Sequence, residues 1–449
     1  MNTQIFREYD IRGVADRDLT DDVTTQIGKA FGTLLRRHQK KSCVIGRDDR
    51  VSSPRLHKAL VQGILSTGIH ATDIGLCPTP QLYFAIQHLK KEGGIMITGS
   101  HNPPDQNGFK MCLGLMSISG ETIQELCQWI KKGDLESGQG KSDVADIAEE
   151  YSAYFLKQFK FKKKIKVGLD CGNGMNAMNA PKVLKQLGCD VHELYCKVDC
   201  RFPNHPADPS KPETLTELTD LVKKNKLDVG IAFDGDGDRV GAVDEKGNII
   251  PGDMLMILYS RYVLQSQKNA VILGDVKCSQ RLYDDIEAHG GKPLMWKTGH
   301  SLIKKKMKEV DAAIGGEMSG HMFFRDRFFG FDSSLYAALR LLEIVDQSEK
   351  PLSSLLEDVP PMCSTPEIRV DCADDKKFDV VQRVVSNLKQ ENYQVNDLDG
   401  ARVTFEDGWG LLRASNTQPV LVMRFEAKTQ KRLDEIQGFI ENKVKEFSK

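Results

Sequence analysis

Short runs of apolar, often β-branched residues recur along this 449-residue chain, and each breaks directly into a polar loop containing glycine. Cys43-Val-Ile-Gly46 runs into Arg47-Asp48, and Ile95-Met-Ile97 into Thr98-Gly-Ser-His-Asn-Pro103. Lys166-Val-Gly-Leu-Asp170 is followed by Cys171-Gly-Asn-Gly174, and Asp228-Val-Gly-Ile-Ala-Phe233 by Asp234-Gly-Asp-Gly-Asp-Arg239. Ala270-Val-Ile-Leu273 meets Gly274-Asp275-Val276-Lys277, and Ala312-Ala-Ile314 meets Gly315-Gly-Glu317-Met-Ser319-Gly-His321. Runs this short, bounded by turns, read as buried strands. Strand, glycine loop and helix in repetition call for an α/β architecture with parallel or mixed sheets. That architecture gathers the loops at the carboxyl ends of the strands, where open sheets hold ligands.

The helices between them show 3.6-residue spacing. Over 20–38, Val23, Ile27, Ala30, Phe31, Leu34 and Leu35 share a face, with Thr20 placed to cap it and Asp21 and Asp22 suiting its amino end. Ser53-Pro54 reads as a cap with proline at the first helical position, and a helix from Ser119 stops at Gly133. Pro181 opens another, and the proline-rich loop 203–212 precedes a further one. Residues 133–142 read as a flexible connector and the first boundary; Pro251-Gly252 and Pro360-Pro361 mark two more. The predicted domains are 1–148, 149–250, 251–361 and 362–449. The first three are similar α/β blocks, and the last mixes the strand Pro419-Val-Leu-Val-Met-Arg-Phe425 with a closing helix lined by Leu433, Ile436, Ile440 and Val444.

Composition excludes several classes of function. The formal net charge of −1 leaves no basic footprint for nucleic acid or a membrane surface. No apolar run is long enough to span a membrane, and the first residues lack the apolar core of a signal peptide. Eleven cysteines without a Cys-x-x-Cys pair suit reduced thiols in a cytoplasm.

The chemistry lies in the loops. Ser100 stands on a tight turn behind a strand, with His101, Asn102 and Lys110 near it. It reads either as a turn serine bonding its own backbone or as a nucleophile, which needs a base, a metal or a covalent group already in place. Asp234, Asp236 and Asp238 alternate with glycines that let all three face one centre, and so many carboxylates repel unless a cation sits among them. Oxygen ligands suit Mg²⁺ or Ca²⁺. An EF-hand reading finds Glu245 at the twelfth position but Arg239 in place of the glycine at the sixth, and a solvated acidic turn is the plain alternative. Arg413-Ala-Ser415-Asn416-Thr417 offers one guanidinium and three small polar side chains, a phosphate grip or a polar hairpin. Glu317 and Ser319 suit a pair of adjacent sugar hydroxyls, or a plain turn. His300, after Gly299, is a general acid/base or a capped helix start. One scheme uses them all: a metal beside a phosphorylated Ser100, a second phosphate at the Arg413 loop, a sugar at Glu317, and Lys110, His300, Lys277 and Arg12 as proton carriers and charge partners.

Taken in order, Thr98-Gly-Ser-His-Asn-Pro103, Asp234-Gly-Asp-Gly-Asp-Arg239, Gly316-Glu-Met-Ser-Gly-His321 and Arg413-Ala-Ser-Asn-Thr417 resemble the α-D-phosphohexomutase superfamily over the whole chain. With Tyr9-Asp-Ile-Arg-Gly13, Asp275-Val-Lys-Cys278 and Lys297-Thr-Gly-His-Ser301, the chain is most similar to the bacterial phosphomannomutase/phosphoglucomutase branch. The resemblance implies a heart-shaped enzyme of four domains around a deep cleft, three α/β and one α+β. It implies that Ser100 is the phosphoserine and, with Asp234, Asp236 and Asp238, a ligand of Mg²⁺. Glu317 and Ser319 would bind the sugar O3 and O4, and Arg413, Ser415, Asn416 and Thr417 the substrate phosphate. Lys110 and His300 would be the acid/base pair, with Arg12, His101 and Arg239 in catalytic support and Tyr9, Asn102, Lys277 and His321 lining the substrate. The implied reaction moves a phosphoryl group between the 1- and 6-positions of mannose or glucose phosphate through a hexose 1,6-bisphosphate, which also activates the enzyme. Gripping O3 and O4 but not O2 would tolerate both sugars. The expected setting is a cytoplasmic monomer or weak dimer without nucleic-acid or membrane partners. Phosphoglucosamine mutase activity, an inactive phosphosugar sensor and a calcium module are the alternatives.

Overall fold

The computed structural model describes residues 1–448. Three successive stretches fold into the same unit of two strand–helix pairs followed by two strands. In the first, the strands Ser42–Arg47, His70–Leu76 and Gly93–Ile97 are parallel, with Ser42–Arg47 in the middle, and Gln106–Leu113 runs antiparallel beside Gly93–Ile97. In the second, Lys166–Asp170, Asp190–Leu194, Val229–Phe233 and Val240–Asp244 repeat that order and those directions. Val271–Asp275, Lys292–Trp296, Ile314–Gly316 and Met322–Phe324 repeat it again. Each parallel crossover carries a helix, as βαβ connections require.

The link from the third strand to the fourth has the same place in every unit. It holds Ser100 in the first, Asp234 to Asp238 in the second, and Glu317 and Ser319 in the third. The fourth region is different. Five strands form the antiparallel path from Cys363–Ser364 to Gln394–Asn396, Ile368–Asp371 pairs with Val420–Ala427, and the helices Lys377–Gln390 and Gln430–Phe447 pack against the sheet. Its loop between Gly408–Ala414 and Val420–Ala427 carries Ser415, Asn416 and Thr417.

One hydrophobic cluster runs through the three repeated units, joining Leu82 and Phe84 to Val167 and Ile231 and on to Leu255 and Leu339. The helices Gly252–Ser266 and Ser334–Gln347 lie inside it. Both are buried on nearly every side, Gly252–Ser266 is apolar enough all round to lack the one-sided stripe that marks a surface helix, and sequence reading placed neither. Thr20 does cap Asp21–Arg37, accepting from the Val23 N–H. Ser53 does not cap its helix; its hydroxyl donates to Asp48 at 2.6 Å instead. The helix expected from Ser119 starts at Glu121, behind Gly120 at φ 55°, and ends at Gly133 at φ 67°. Residues 133–142, expected to be flexible, are pinned: Gly138 and Gly140 N–H groups donate to Ser66 and Leu65 carbonyls at 2.8 and 2.7 Å. Their missing side chains permit that approach, since a Cβ on Gly140 would lie 2.1 Å from the Ile69 oxygen.

Candidate active site

Ser100 is held in a left-handed turn at φ 51°, an unusual conformation for a residue with a side chain. Arg50 supplies the constraint. Its buried guanidinium donates to the carbonyls of Ser100, Asn102, Pro103 and Gln106 at 2.5–2.9 Å, and its Nε to Asp48 at 3.2 Å. Asp48 also accepts the Gly99 N–H at 3.1 Å. Gly99 is required here because a Cβ would stand 2.3 Å from the Arg50 guanidinium carbon. Ser100 is thus presented with its Oγ 3.1 Å from Asp234 Oδ2 and 3.2 Å from His101 Nδ1.

Asp234, Asp236 and Asp238 are fully buried, and one oxygen of each lies within 4.8 Å of the others. Asp234 Oδ1 accepts the N–H groups of Gly237, Asp238 and Arg239 at 2.9–3.0 Å, so the loop curls around it. Lys110, on Gln106–Leu113, bridges Asp236 and Asp238 at 2.6 and 2.5 Å, and Thr79 donates to Asp236. The remaining oxygens, Asp236 Oδ1 and Asp238 Oδ1, are buried without a hydrogen-bond partner. Burial, together with the Asp238 and Asp236 carboxylates, pushes the Asp234 carboxyl well above the ordinary range. Burial works against the charge on Lys110, but the two aspartates outweigh it and keep the ammonium charged. Crowded carboxylates with two open oxygens fit a hard divalent cation.

The walls of this centre come from several units. Arg12, on Ile11–Val14, donates to Asp10 at 2.7 Å and to the Asn102 side chain at 3.3 Å. Arg239 Nε donates to His321 Nε2 at 2.9 Å, which leaves the other ring nitrogen as the protonated one. That Nδ1 stands 3.1 Å from Asp332 and 3.6 Å from Asp238. Lys304 pairs with Asp332 at 3.0 Å. His300 stacks on His321 with ring centres 5.6 Å apart, and both its nitrogens are buried without a partner. Burial, aided by Lys304, holds its pKa well below the ordinary histidine value; burial and Arg239 do the same to His101.

His300 also meets Tyr9 edge-on at 6.1 Å, which leads to a second group of side chains. The Tyr9 hydroxyl donates to the Thr298 carbonyl at 2.6 Å and accepts from Asn416 at 2.5 Å. Glu317 accepts from the Gly299 N–H at 2.9 Å and from Ser319 at 3.0 Å. Arg413 donates to Asp399 at 3.0 and 3.4 Å, while Ser415 accepts from Thr417 and Gln418 N–H groups at 3.3 and 3.2 Å. Lys277 pairs with Glu367 at 3.2 Å and lies 3.8 Å from Asp275. Lys277 is the main reason that the half-buried Glu367 carboxyl is pulled down to about 2.

Every candidate site residue of the phosphohexomutase resemblance therefore lies in one of two connected clusters, whereas Glu245 lies apart, bonded to Ser353. Ser100, His101, Asn102, Lys110, Arg12, the three aspartates, Arg239, His300 and His321 form one. Tyr9, Lys277, Glu317, Ser319, Arg413, Ser415, Asn416 and Thr417 line the other. Sequence reading missed Arg50, Asp332, Lys304, Asp399 and Glu367. Arg50 had a signal, since it follows Asp48 by two residues behind a strand; the others sit in no motif.

Family models match the chain in succession. They are phosphoglucomutase/phosphomannomutase alpha/beta/alpha domain I over residues 3–137, domain II over 149–247, domain III over 251–363 and the C-terminal domain over 367–443. A phosphomannomutase/phosphoglucomutase of Pseudomonas aeruginosa is 46% identical over 441 residues, covering 98% of this chain and 95% of its own. A phosphoglucomutase of Neisseria gonorrhoeae is 43% identical, covering 97% and 95%. The crystal structure of a phosphoglucomutase/phosphomannomutase family protein from Burkholderia thailandensis superposes with a TM-score of 0.93 at 40% identity, covering 100% of this chain and 98% of that one.

Proposed function

Since the chain belongs to the phosphoglucomutase/phosphomannomutase family, we propose that it moves a phosphoryl group reversibly between O1 and O6 of glucose and mannose phosphates. Ser100 is the phosphoryl carrier. The observation that carries this reading is the approach of Ser100 Oγ to within 3.1 Å of Asp234, in a buried triad with two unpartnered oxygens.

In the first half-reaction the phosphoserine P–O bond breaks and a P–O bond forms to the free sugar hydroxyl, giving a hexose 1,6-bisphosphate. Its other phosphate then returns to Ser100 after the sugar has turned end over end. Asp234, Asp236 and Asp238 would hold Mg²⁺ beside Ser100, and the ion would supply positive charge to offset that of a phosphoryl group there. Arg12 and Arg239 add positive charge beside the serine loop, and a neutral His101 adds a hydrogen bond to Ser100. Arg413, Ser415, Asn416 and Thr417 grip the phosphate that is not reacting, and Glu317 and Ser319 take O3 and O4. Tyr9, Asn102, Lys277 and His321 line the path between. Lys110, ion-paired at the triad, and His300, with two free ring nitrogens, are the proton carriers. Contacts to O3 and O4 leave C2 unread, so both sugars are substrates.

A coupled assay with glucose 1-phosphate and mannose 1-phosphate in turn, with Mg²⁺ and a trace of hexose 1,6-bisphosphate, tests this. Turnover of both that is lost in EDTA and restored by Mg²⁺ supports it. Turnover of glucosamine phosphate alone would overturn it.

A further inference from the structure

Outside the cleft, two thiols touch. Cys171 directly follows the strand Lys166–Asp170, and Cys196 lies two residues beyond its parallel neighbour Asp190–Leu194. Their Sγ atoms are 3.3 Å apart. The backbone enforces this proximity. The Cys171 N–H donates to the Leu194 carbonyl at 3.1 Å, and the Asn173 N–H to the Tyr195 carbonyl at 2.9 Å. The Asn173 side chain donates to the Lys197 carbonyl at 2.8 Å, so the chain is clamped on both sides of Cys196. A disulfide bond is about 2.05 Å long, so the two sulfurs are already close to bonding distance. No other pair of cysteines among the described residues is recorded in such contact; Cys200, four residues on, touches Met175 instead. Cys196 is half-exposed and Cys171 buried, and burial pushes the Cys171 thiol well up. An oxidant in solution therefore meets Cys196 first, with Cys171 behind it as the resolving thiol.

We propose that Cys171 and Cys196 are a redox modification site that closes to a reversible disulfide on exposure to a peroxide. Cys196 sulfur attacks one peroxide oxygen, the O–O bond breaks, and a sulfenic acid and one water form. Cys171 sulfur then attacks Cys196 sulfur; the S–S bond forms, the S–O bond breaks, and hydroxide leaves with the Cys171 proton as a second water. Two thiols lose two electrons to one peroxide.

The site reaches the metal loop. The Gly174 N–H donates to the Cys171 carbonyl at 2.7 Å, and the Met175 N–H to the Gly235 carbonyl at 2.9 Å. A Cβ on Gly174 would stand 2.8 Å from the Asp234 and Gly235 oxygens, so this exit loop lies directly against the loop of aspartates. Oxidation should therefore lower turnover, an effect that rests on the mutase reading, whereas the disulfide itself does not.

The test treats the full-length protein with hydrogen peroxide, alkylates the remaining thiols and maps peptides without reduction. The expected result is a Cys171–Cys196 link that dithiothreitol removes. With Cys196→Ser, Cys171 should stay alkylatable under the same treatment. A free Cys171 thiol beside an over-oxidised Cys196, or a Cys196–Cys200 link, would overturn the site. In parallel, mutase turnover should fall several-fold on oxidation, recover with dithiothreitol and hold steady in Cys196→Ser. A mapped disulfide with undiminished turnover would overturn the coupling to the metal loop alone.

Discussion

Arg50 and Arg413 are both buried arginines beneath a functional loop, yet they are used differently. Arg50 spends its guanidinium on four carbonyls of the serine loop, all within the first repeated unit. Arg413 bonds Asp399 through Nε and one terminal nitrogen, and its loop closes through Ser415 Oγ contacts of 3.2–3.5 Å and backbone bonds of 3.0 and 2.9 Å from the Ser415 and Val420 N–H groups. Asn416 reaches out of that loop to Tyr9 in another unit. In the proposed mechanism the reacting end is fixed in place before any ligand arrives, whereas side-chain contacts at the gripping end can be exchanged for contacts to a phosphate. Preorganisation belongs where charge moves, and a sugar that must be held in two orientations needs an adaptable grip.

Substitutions can break this contrast. The largest effect is expected for Ser100→Ala, which removes the proposed phosphoryl carrier and should lower kcat by about 10⁴-fold or more with the fold intact. Circular dichroism and steady-state kinetics check both halves of that statement. Arg50→Ala strands Asp48 and four loop carbonyls, and should cost about 3–5 kcal/mol in urea unfolding. Arg50→Lys retains charge but cannot span the four acceptors, so kcat should fall about 10²-fold with KM little changed. At the gripping end, Asp399→Asn loosens the orientation of Arg413. There KM should rise by about tenfold while kcat stays within a small factor, because the lost contact serves ground state and transition state alike. A large kcat loss at Asp399 would erase the distinction between the two ends. Tyr9→Phe removes two bonds between units, to the Thr298 carbonyl and from Asn416, and should cost about 1–2 kcal/mol, seen as a KM several-fold higher.

The smallest effect concerns acid stability. Lys277 lowers the Glu367 pKa to about 2 from an ordinary 4.5. A lowered carboxyl pKa contributes stability that is full above the unfolded value and is lost as pH falls through the folded one. Glu367→Gln should therefore flatten the decline in stability between pH 4.5 and about 2. An unchanged acid-unfolding curve would show that the pair contributes nothing.

Much of this was legible in the sequence because strand exits announce themselves. Ser100, the three aspartates and Glu317 all lie in the link from third to fourth strand of a repeated unit, and glycines mark each of those links. The repetition of three units was read from the alternation of strands, loops and helices, without any repeat in the residues themselves. The Gly252–Ser266 helix was not legible, because burial on nearly every side removes the periodic stripe. Ser53 was misread as a cap because its hydroxyl serves Asp48, a tertiary partner that local rules do not see. Asp399 and Asp332 escaped for a related reason: each gains its role from a partner brought close by folding, Asp399 from Arg413 and Asp332 from Lys304 and His321.

The central claim is that Ser100 carries the transferred group. The most direct test incubates the full-length protein with glucose 1,6-bisphosphate and Mg²⁺, then maps the gain of one phosphoryl group, about 80 Da, by mass spectrometry. The group should be found on Ser100, leave on addition of glucose 6-phosphate or mannose 6-phosphate, and fail to appear in Ser100→Ala. A phosphoryl group on another residue, or one that no hexose phosphate removes, would contradict the account.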